Sequence, residues 1–153
     1  MRLCERTFQT LMAARDVAAG GFGLPPIVGK WLAPLVGRDG WRRFVAFDGQ
    51  DAVAAGALYL SGKAAWFDIG ATLPSHRRRG AQSALLDARM RAAAAEADCA
   101  HLATETGIPH AGEAGPSFKS IQTAGFCIVY RRLNYCLQTF WTHCVGSKTL
   151  GAK

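Results

Sequence analysis

The chain has 153 residues, 50% of them apolar and 19% charged, which fits a single compact domain over 1–140 and leaves too little for two. Its 18 Lys and Arg against 11 Asp and Glu give a net charge of +7, which favours an anionic partner: nucleic acid, an anionic membrane surface or a phosphorylated small molecule. No apolar run reaches the roughly 18 residues of a membrane span, and Cys4, Glu5, Arg6 and Gln9 interrupt what a secretory leader would need, so a cytoplasmic protein is expected. The five cysteines form no CxxC pair and meet no HxxxH, so they read as reduced thiols with no metal site.

Residues 6–19 place Phe8, Leu11, Met12 and Ala18 or Ala19 at three-to-four spacing, which predicts a helix ended by Gly20-Gly21, with no strand ahead of it. Ile27, Val28, Trp31, Leu32, Leu35 and Val36 predict a short second helix over 26–36. The runs 44–48 and 51–60 around the turn Asp48-Gly49-Gln50 read as a β-hairpin, and Ser61-Gly62-Lys63 leads into a third strand over 64–72. After the basic turn LPSHRRRGAQ comes a helix over 83–97, with a stripe of Leu85 or Leu86, Arg89 or Met90, Ala93 and Ala97 and an opposed Asp87–Arg91 pair. Residues 99–106 read as a strand, 107–115 as a loop and 116–123 as a helix closed by Ala124-Gly125. One or two strands are expected over 126–140 and a flexible tail over 141–153. The order describes an α/β (mixed α+β) domain with helices on both faces of one sheet.

Chemistry concentrates at the strand-to-helix junction from Ile69 to Leu86. A helix N-terminus exposes unpaired N–H groups and positive dipole charge; Gly80 lets main chain come close, and Arg77, Arg78 and Arg79 add full charge. Neither the Gly-Lys-Ser/Thr of a phosphate loop nor Gly-x-Gly-x-x-Gly is present. Arg77 to Gly80 within LPSHRRRGAQSALL resembles motif A of the GNAT acetyltransferases, written Arg/Gln-x-x-Gly-x-Gly/Ala. The element order over 43–133 is similar to the core of that family, and TAGF at 123–126 resembles its closing Gly-Phe. Gln82 departs from the small last motif position, and Gly115 and Ile121 stand where the family often has Asn and Tyr.

The resemblance implies the GNAT acyl-CoA acyltransferase fold, a central mixed sheet with helices on both faces, and acetyl-CoA as cosubstrate. It implies a pyrophosphate at Arg77, Arg78, Arg79, Gly80, Ala81, Gln82 and Ser83, and a pantetheine arm along Ala71, Thr72 and Leu73. An N–H near Gly70 or Ala71 would hold the thioester oxygen. Asp68, on the strand that would deliver the thioester, and Glu105, at the C-terminal end of the neighbouring strand, are the candidate general bases, with His110 a second choice. Tyr130, and beside it Tyr135, is the candidate acid, although a thiol pKa of about 8.5 makes one dispensable. The acceptor pocket would draw on Phe22, Leu24, Trp31, Trp41 and Phe118. The activity implied is acetyl transfer to an amine of a small molecule or protein. The alternatives are an idle acyl-CoA-binding module of the same fold and a nucleic-acid binder, the latter opposed by the lack of aromatics among the arginines. Expected partners are therefore acetyl-CoA and an amine, with no nucleic acid and no membrane, and a homodimer allowed.

Overall fold

The computed structural model describes residues 1–5, 8–25, 27, 30, 38–107 and 115–132. The helix expected over 26–36 falls almost wholly outside these residues, as do Trp31, His110, Tyr135, the positions 133–140 and the tail. Strand β1 (Arg2–Glu5) leads to helix α1 (Phe8–Phe22). Strands β2 (Trp41–Asp48), β3 (Asp51–Ser61) and β4 (Ala64–Thr72) follow, then a single 3-10 turn (Pro74–His76) and helix α2 (Ala81–Ala94). Strand β5 (His101–Thr104) and helix α3 (Pro116–Thr123) complete the described elements.

The sheet runs β1-β2-β3-β4-β5, antiparallel from β1 to β4 and parallel between β4 and β5. The parallel step is the one that needs a crossover, and α2 supplies it. Alternation along β2 sends Val45 to one face, where it meets Ala14 and Val17 of α1, and Phe44 and Ala46 to the other, where Leu85, Leu86 and Ala93 of α2 pack with Leu58 and Phe67. Both faces are covered, as expected for a mixed α/β sheet. No described helix is long and apolar enough to cross a membrane.

Four expectations need correction. A first strand exists: Arg2–Glu5 pairs with β2 from Arg2↔Phe47 to Glu5↔Phe44, and Leu3 packs on the α2-side core. Helix α1 runs through Gly20-Gly21 and stops at Gly23 (φ +67), where Leu24 N–H donates to Ala19 C=O (2.9 Å) and Gly23 N–H to Gly20 C=O (3.2 Å), the two bonds of a Schellman cap. Helix α2 begins at Ala81 and ends at Ala94, so Ala97 lies past it and exposed. The apolar run after Gly125 takes no strand over the described 126–132, although β5 ends the described sheet with a free edge: Ile128, Val129 and Tyr130 are 53%, 85% and 71% exposed, so strand propensity alone does not bring them onto that edge. Helix α3 ends as expected, with Gly125 (φ +96) and Phe126 closing a second Schellman cap.

Candidate active site

The site begins where β4 and β5 part. Their pairing runs from Ala64↔His101 to Phe67↔Thr104, and Thr104 Oγ1 donates to Phe67 C=O (3.0 Å) at the last step. From Asp68 to Thr72 strand β4 keeps its bonds to β3 but, among the described residues, has no ladder on the β5 side. Within that stretch the β3–β4 register jumps from Ala57↔Asp68 to Ala55↔Ala71, so Ile69 and Gly70 oppose Gly56 alone. This is a β-bulge, and Ile69 takes φ +50, a conformation that costs a β-branched residue about 1–2 kcal/mol. Leu73 N–H turns to β3, donating to Val53 C=O (2.9 Å). Strand alternation then leaves Gly70 and Thr72, rather than Ala71, presenting main-chain groups to the open edge.

The bulge is braced from α2. Arg89, 2% exposed, donates from Nη1 to Ala57 C=O (3.1 Å) and Asp68 C=O (3.2 Å), and from Nε to Leu85 C=O (3.1 Å). Its guanidinium lies over the Phe67 ring, 5.3 Å from the centroid. Burial pulls its pKa down to about 10, and the Asp68 carboxylate opposes that shift, so it stays charged at neutral pH. The sequence places Arg89 only as one option in an apolar stripe. A readable signal was the glycine in the middle of β3: a Cβ on Gly56 would stand 2.9 Å from Arg89 Cζ.

The far end of the open edge meets the start of α2. Gly80, at φ +79, caps the helix without any side-chain hydrogen bond, so among the described residues the first-turn N–H groups at Ala81, Gln82 and Ser83 have no side-chain cap. A Cβ at Gly80 would meet nothing within 4 Å, which leaves the approach open. Arg78, also left-handed at φ +64, is exposed and has no charge partner among the described residues. The other two arginines are engaged. Arg77 donates from Nη2 to Gly21 C=O (2.9 Å) and from Nε to Thr72 C=O (3.4 Å), tying α1 to β4. Arg79 pairs with Asp48 (3.4 Å), whose same oxygen lies 3.6 Å from His76 Nε2. His76 is thus a half-buried member of a cluster, its Nδ1 2.9 Å from Ser75 Oγ.

Of the remaining site residues, Ala71 is buried, with Gly21 of α1 packed on it, and Leu73 is half-buried. Thr72 Oγ1 and Gln82 Oε1 are the two buried side-chain polar atoms without a partner among the described residues, and the Gln82 carboxamide lies against Gly70, whose missing Cβ would stand 2.6 Å from Nε2. Asp68 and Glu105 are each the residue after the last β4–β5 pair, so the structure brings their strand positions together. Asp68 is half-buried and its Oδ1 accepts the Ile69 N–H (2.8 Å) at the bulge. Glu105 is exposed and ion-paired with Arg132. Tyr130 is 71% exposed, with no hydrogen bond among the described residues. Trp41 stacks on Tyr59 (5.0 Å between centroids), at the end of β2 away from the opening, whereas Phe22 is 49% exposed at the end of α1.

This set can hold an anion at a bare helix start and an extended amide-bearing chain beside a half-paired strand. No family model and no curated protein sequence matches the chain. Solved structures do. A 6'-N-acetyltransferase for aminoglycoside antibiotics from Acinetobacter haemolyticus aligns at TM-score 0.69 and 14% identity, over 90% of this chain and 99% of its own. An acetyltransferase of Trypanosoma brucei aligns at 0.68 and 15%, over 89% and 99%. The aminoglycoside acetyltransferase AAC(6')-Iy, bound to a CoA-linked bisubstrate analogue, aligns at 0.68 and 20%, over 90% and 99%. The chain therefore has the fold of the GNAT acetyltransferases, along nearly its whole length.

Proposed function

We propose that the protein is an N-acetyltransferase that transfers the acetyl group of acetyl-CoA to an amine of a small molecule or protein. The observation that carries this reading is the opening of the sheet after Phe67↔Thr104, with a bulge on one wall and the uncapped start of α2 at its end. The residues present fit the cosubstrate. The N–H groups of Ala81, Gln82 and Ser83, with the Arg78 side chain, would hold the pyrophosphate. The edge at Gly70 and Thr72, unpaired with β5, would take the pantetheine as an added strand, Thr72 through its N–H because its carbonyl already accepts from Arg77.

Acetyl-CoA when bound supplies an activated acyl thioester; the rest of the work falls to the chain. Gly70 N–H, fixed by the bulge, donates to the oxygen on which negative charge develops, and a preset donor is worth about 10²–10³ in rate. Asp68, half-buried beside the opening, takes the proton of the attacking amine. Glu105 has its carboxylate already engaged by Arg132, which makes Asp68 the better base. Tyr130 is the remaining acid candidate for the departing thiolate, a group acidic enough to leave without one. Phe22, exposed at the end of α1, offers the acceptor side an aromatic surface.

The test is a calorimetric titration with acetyl-CoA beside an assay of CoA release over a panel of amines. Saturable binding at one site with amine-dependent release is expected. Binding without release across the panel would favour an idle acyl-CoA-binding module, and absence of binding would refute both.

A further inference from the structure

We propose that Arg89 is a positioning residue: from α2 its guanidinium clamps the β4 bulge in the shape that turns Gly70 N–H toward the opening. The inference rests on the acetyltransferase reading for the reaction served, and on the geometry of the bulge for the clamp itself.

Arg89 is the one buried charged side chain among the described residues, and no carboxylate stands within ion-pair distance of it there. Its hydrogen bonds go to main-chain carbonyls. Two of these, on Ala57 and Asp68, belong to the pair at which the β3–β4 register breaks. A stripe position facing a core is filled at lower cost by Leu or Met, because a guanidinium in the interior loses its hydration. What an apolar side chain lacks is the planar fork of donors, which reaches carbonyls on two strands at once. The chain also makes room for that fork. Gly56 lies opposite the bulge with its missing Cβ 2.9 Å from Arg89 Cζ, and the missing Cβ of Gly70 is 3.5 Å from Arg89 Nη2 and 2.6 Å from Gln82 Nε2. Phe67 covers the guanidinium from the strand side.

Remove the fork and the Ala57 and Asp68 carbonyls lose a donor that a regular ladder would not need to replace. A regular ladder has one residue fewer on β4, and that slip exchanges the faces of every residue beyond it. Gly70 would then leave the edge where the oxygen is held. The start of α2, where the anion is bound, has its own main-chain donors and does not depend on the clamp. Arg89 thus acts on turnover more than on cosubstrate affinity.

The test uses the full chain with three substitutions: Arg89→Met, Arg89→Lys and Gly56→Ala. Gly56→Ala keeps the charge and the strand but puts a methyl group where the guanidinium sits. In the unliganded protein, the Gly70 amide cross-peak in a ¹H–¹⁵N spectrum should move in Arg89→Met and Gly56→Ala. Turnover per titrated acetyl-CoA site should fall about tenfold or more in both, a larger factor than the loss of affinity, because the anion contacts at the start of α2 are kept while the pantetheine edge is disturbed. Arg89→Lys should fall between. If Arg89→Met does not fold, Gly56→Ala carries the same test. An unmoved Gly70 peak, or turnover per site within twofold of wild type in Gly56→Ala, overturns the proposal. If the wild type binds no acetyl-CoA, the acetyltransferase reading fails by itself, and the Gly70 peak still decides whether Arg89 holds the bulge.

Discussion

Two adjacent glycines near the end of α1 should respond to alanine with opposite signs. In a helix, Gly→Ala gains up to about 1 kcal/mol from backbone entropy, and in a last turn roughly half of that. At Gly20 the new methyl would stand 3.1 Å from Leu73 Cδ2, the far end of a half-buried side chain that can rotate by a few tenths of an ångström. Gly20→Ala should therefore stabilise by about 0.5 kcal/mol. At Gly21 the methyl would stand 2.8 Å from Ala71 Cβ and 3.1 and 3.3 Å from the N and O of Thr72. None of those atoms can rotate away, so α1 must lift off β4, and overpacking of this kind costs about 1–3 kcal/mol. That exceeds the propensity gain, and a net loss of about 1 kcal/mol is expected. For a domain of this size 1 kcal/mol moves Tm by about 2–4 °C, so thermal and urea melts resolve the two signs. Gly21 is followed by Phe22, the aromatic surface proposed for the acceptor, so lifting the helix end should raise the KM for the acceptor in Gly21→Ala and leave it unchanged in Gly20→Ala. Equal effects of the two substitutions, or a gain in stability at Gly21, would refute the close approach of α1 to the post-bulge strand.

Gly80→Val should cost about 1–2 kcal/mol of stability, because φ +79 is strained for a β-branched residue, and should weaken acetyl-CoA binding at least tenfold by calorimetry. Asp48→Ala releases Arg79 and His76 from their shared carboxylate oxygen. Acetyl-CoA affinity should then rise about two- to threefold at low ionic strength, and the difference should vanish near 1 M salt. The accompanying change in stability should stay within about 0.5 kcal/mol, as for other exposed pairs. Asp68→Asn should lower kcat at least tenfold with cosubstrate affinity nearly unchanged, whereas Glu105→Gln, at a carboxylate already paired with Arg132, should cost less than about threefold. The reverse ranking of the two in a CoA-release assay would exchange their roles.

What could be read from the sequence was written locally. The hairpin turn at Gly49, the turn at Gly62, the extent of β4 and the Gly125 cap each follow from residues within a few positions of one another. What could not be read depends on partners distant in the chain. Strand β1 has four residues and exists because β2 offers an edge; on its own Arg2–Glu5 carries no period. Gly20 and Gly21 look like a helix stop, but the left-handed glycine that ends α1 is Gly23, and Gly21 is there for contact with Ala71. Ile69 is the sharpest case. A β-branched residue is the last expected at φ +50, and its conformation is set by Gly56 and Arg89, one on the neighbouring strand and one on the crossover helix.

The basic turn shows the same division between composition and place. Three consecutive arginines before a glycine read as one block of charge aimed at an anion, yet each is committed differently. Arg77 holds α1 to the end of β4 through two main-chain carbonyls, which makes it part of the wall. Arg79 is balanced by Asp48 on the β2–β3 turn, so its charge is available to a ligand only in competition with a carboxylate. Arg78 alone extends uncommitted among the described residues, from a left-handed backbone (φ +64) two residues before the left-handed Gly80. On the proposed reading, specificity at this end of the opening would come from main-chain donors with one full charge beside them. That combination suits a diphosphate ester held at a fixed distance from the bulge better than the dispersed phosphates of a nucleic acid, whose binding would call on all three side chains.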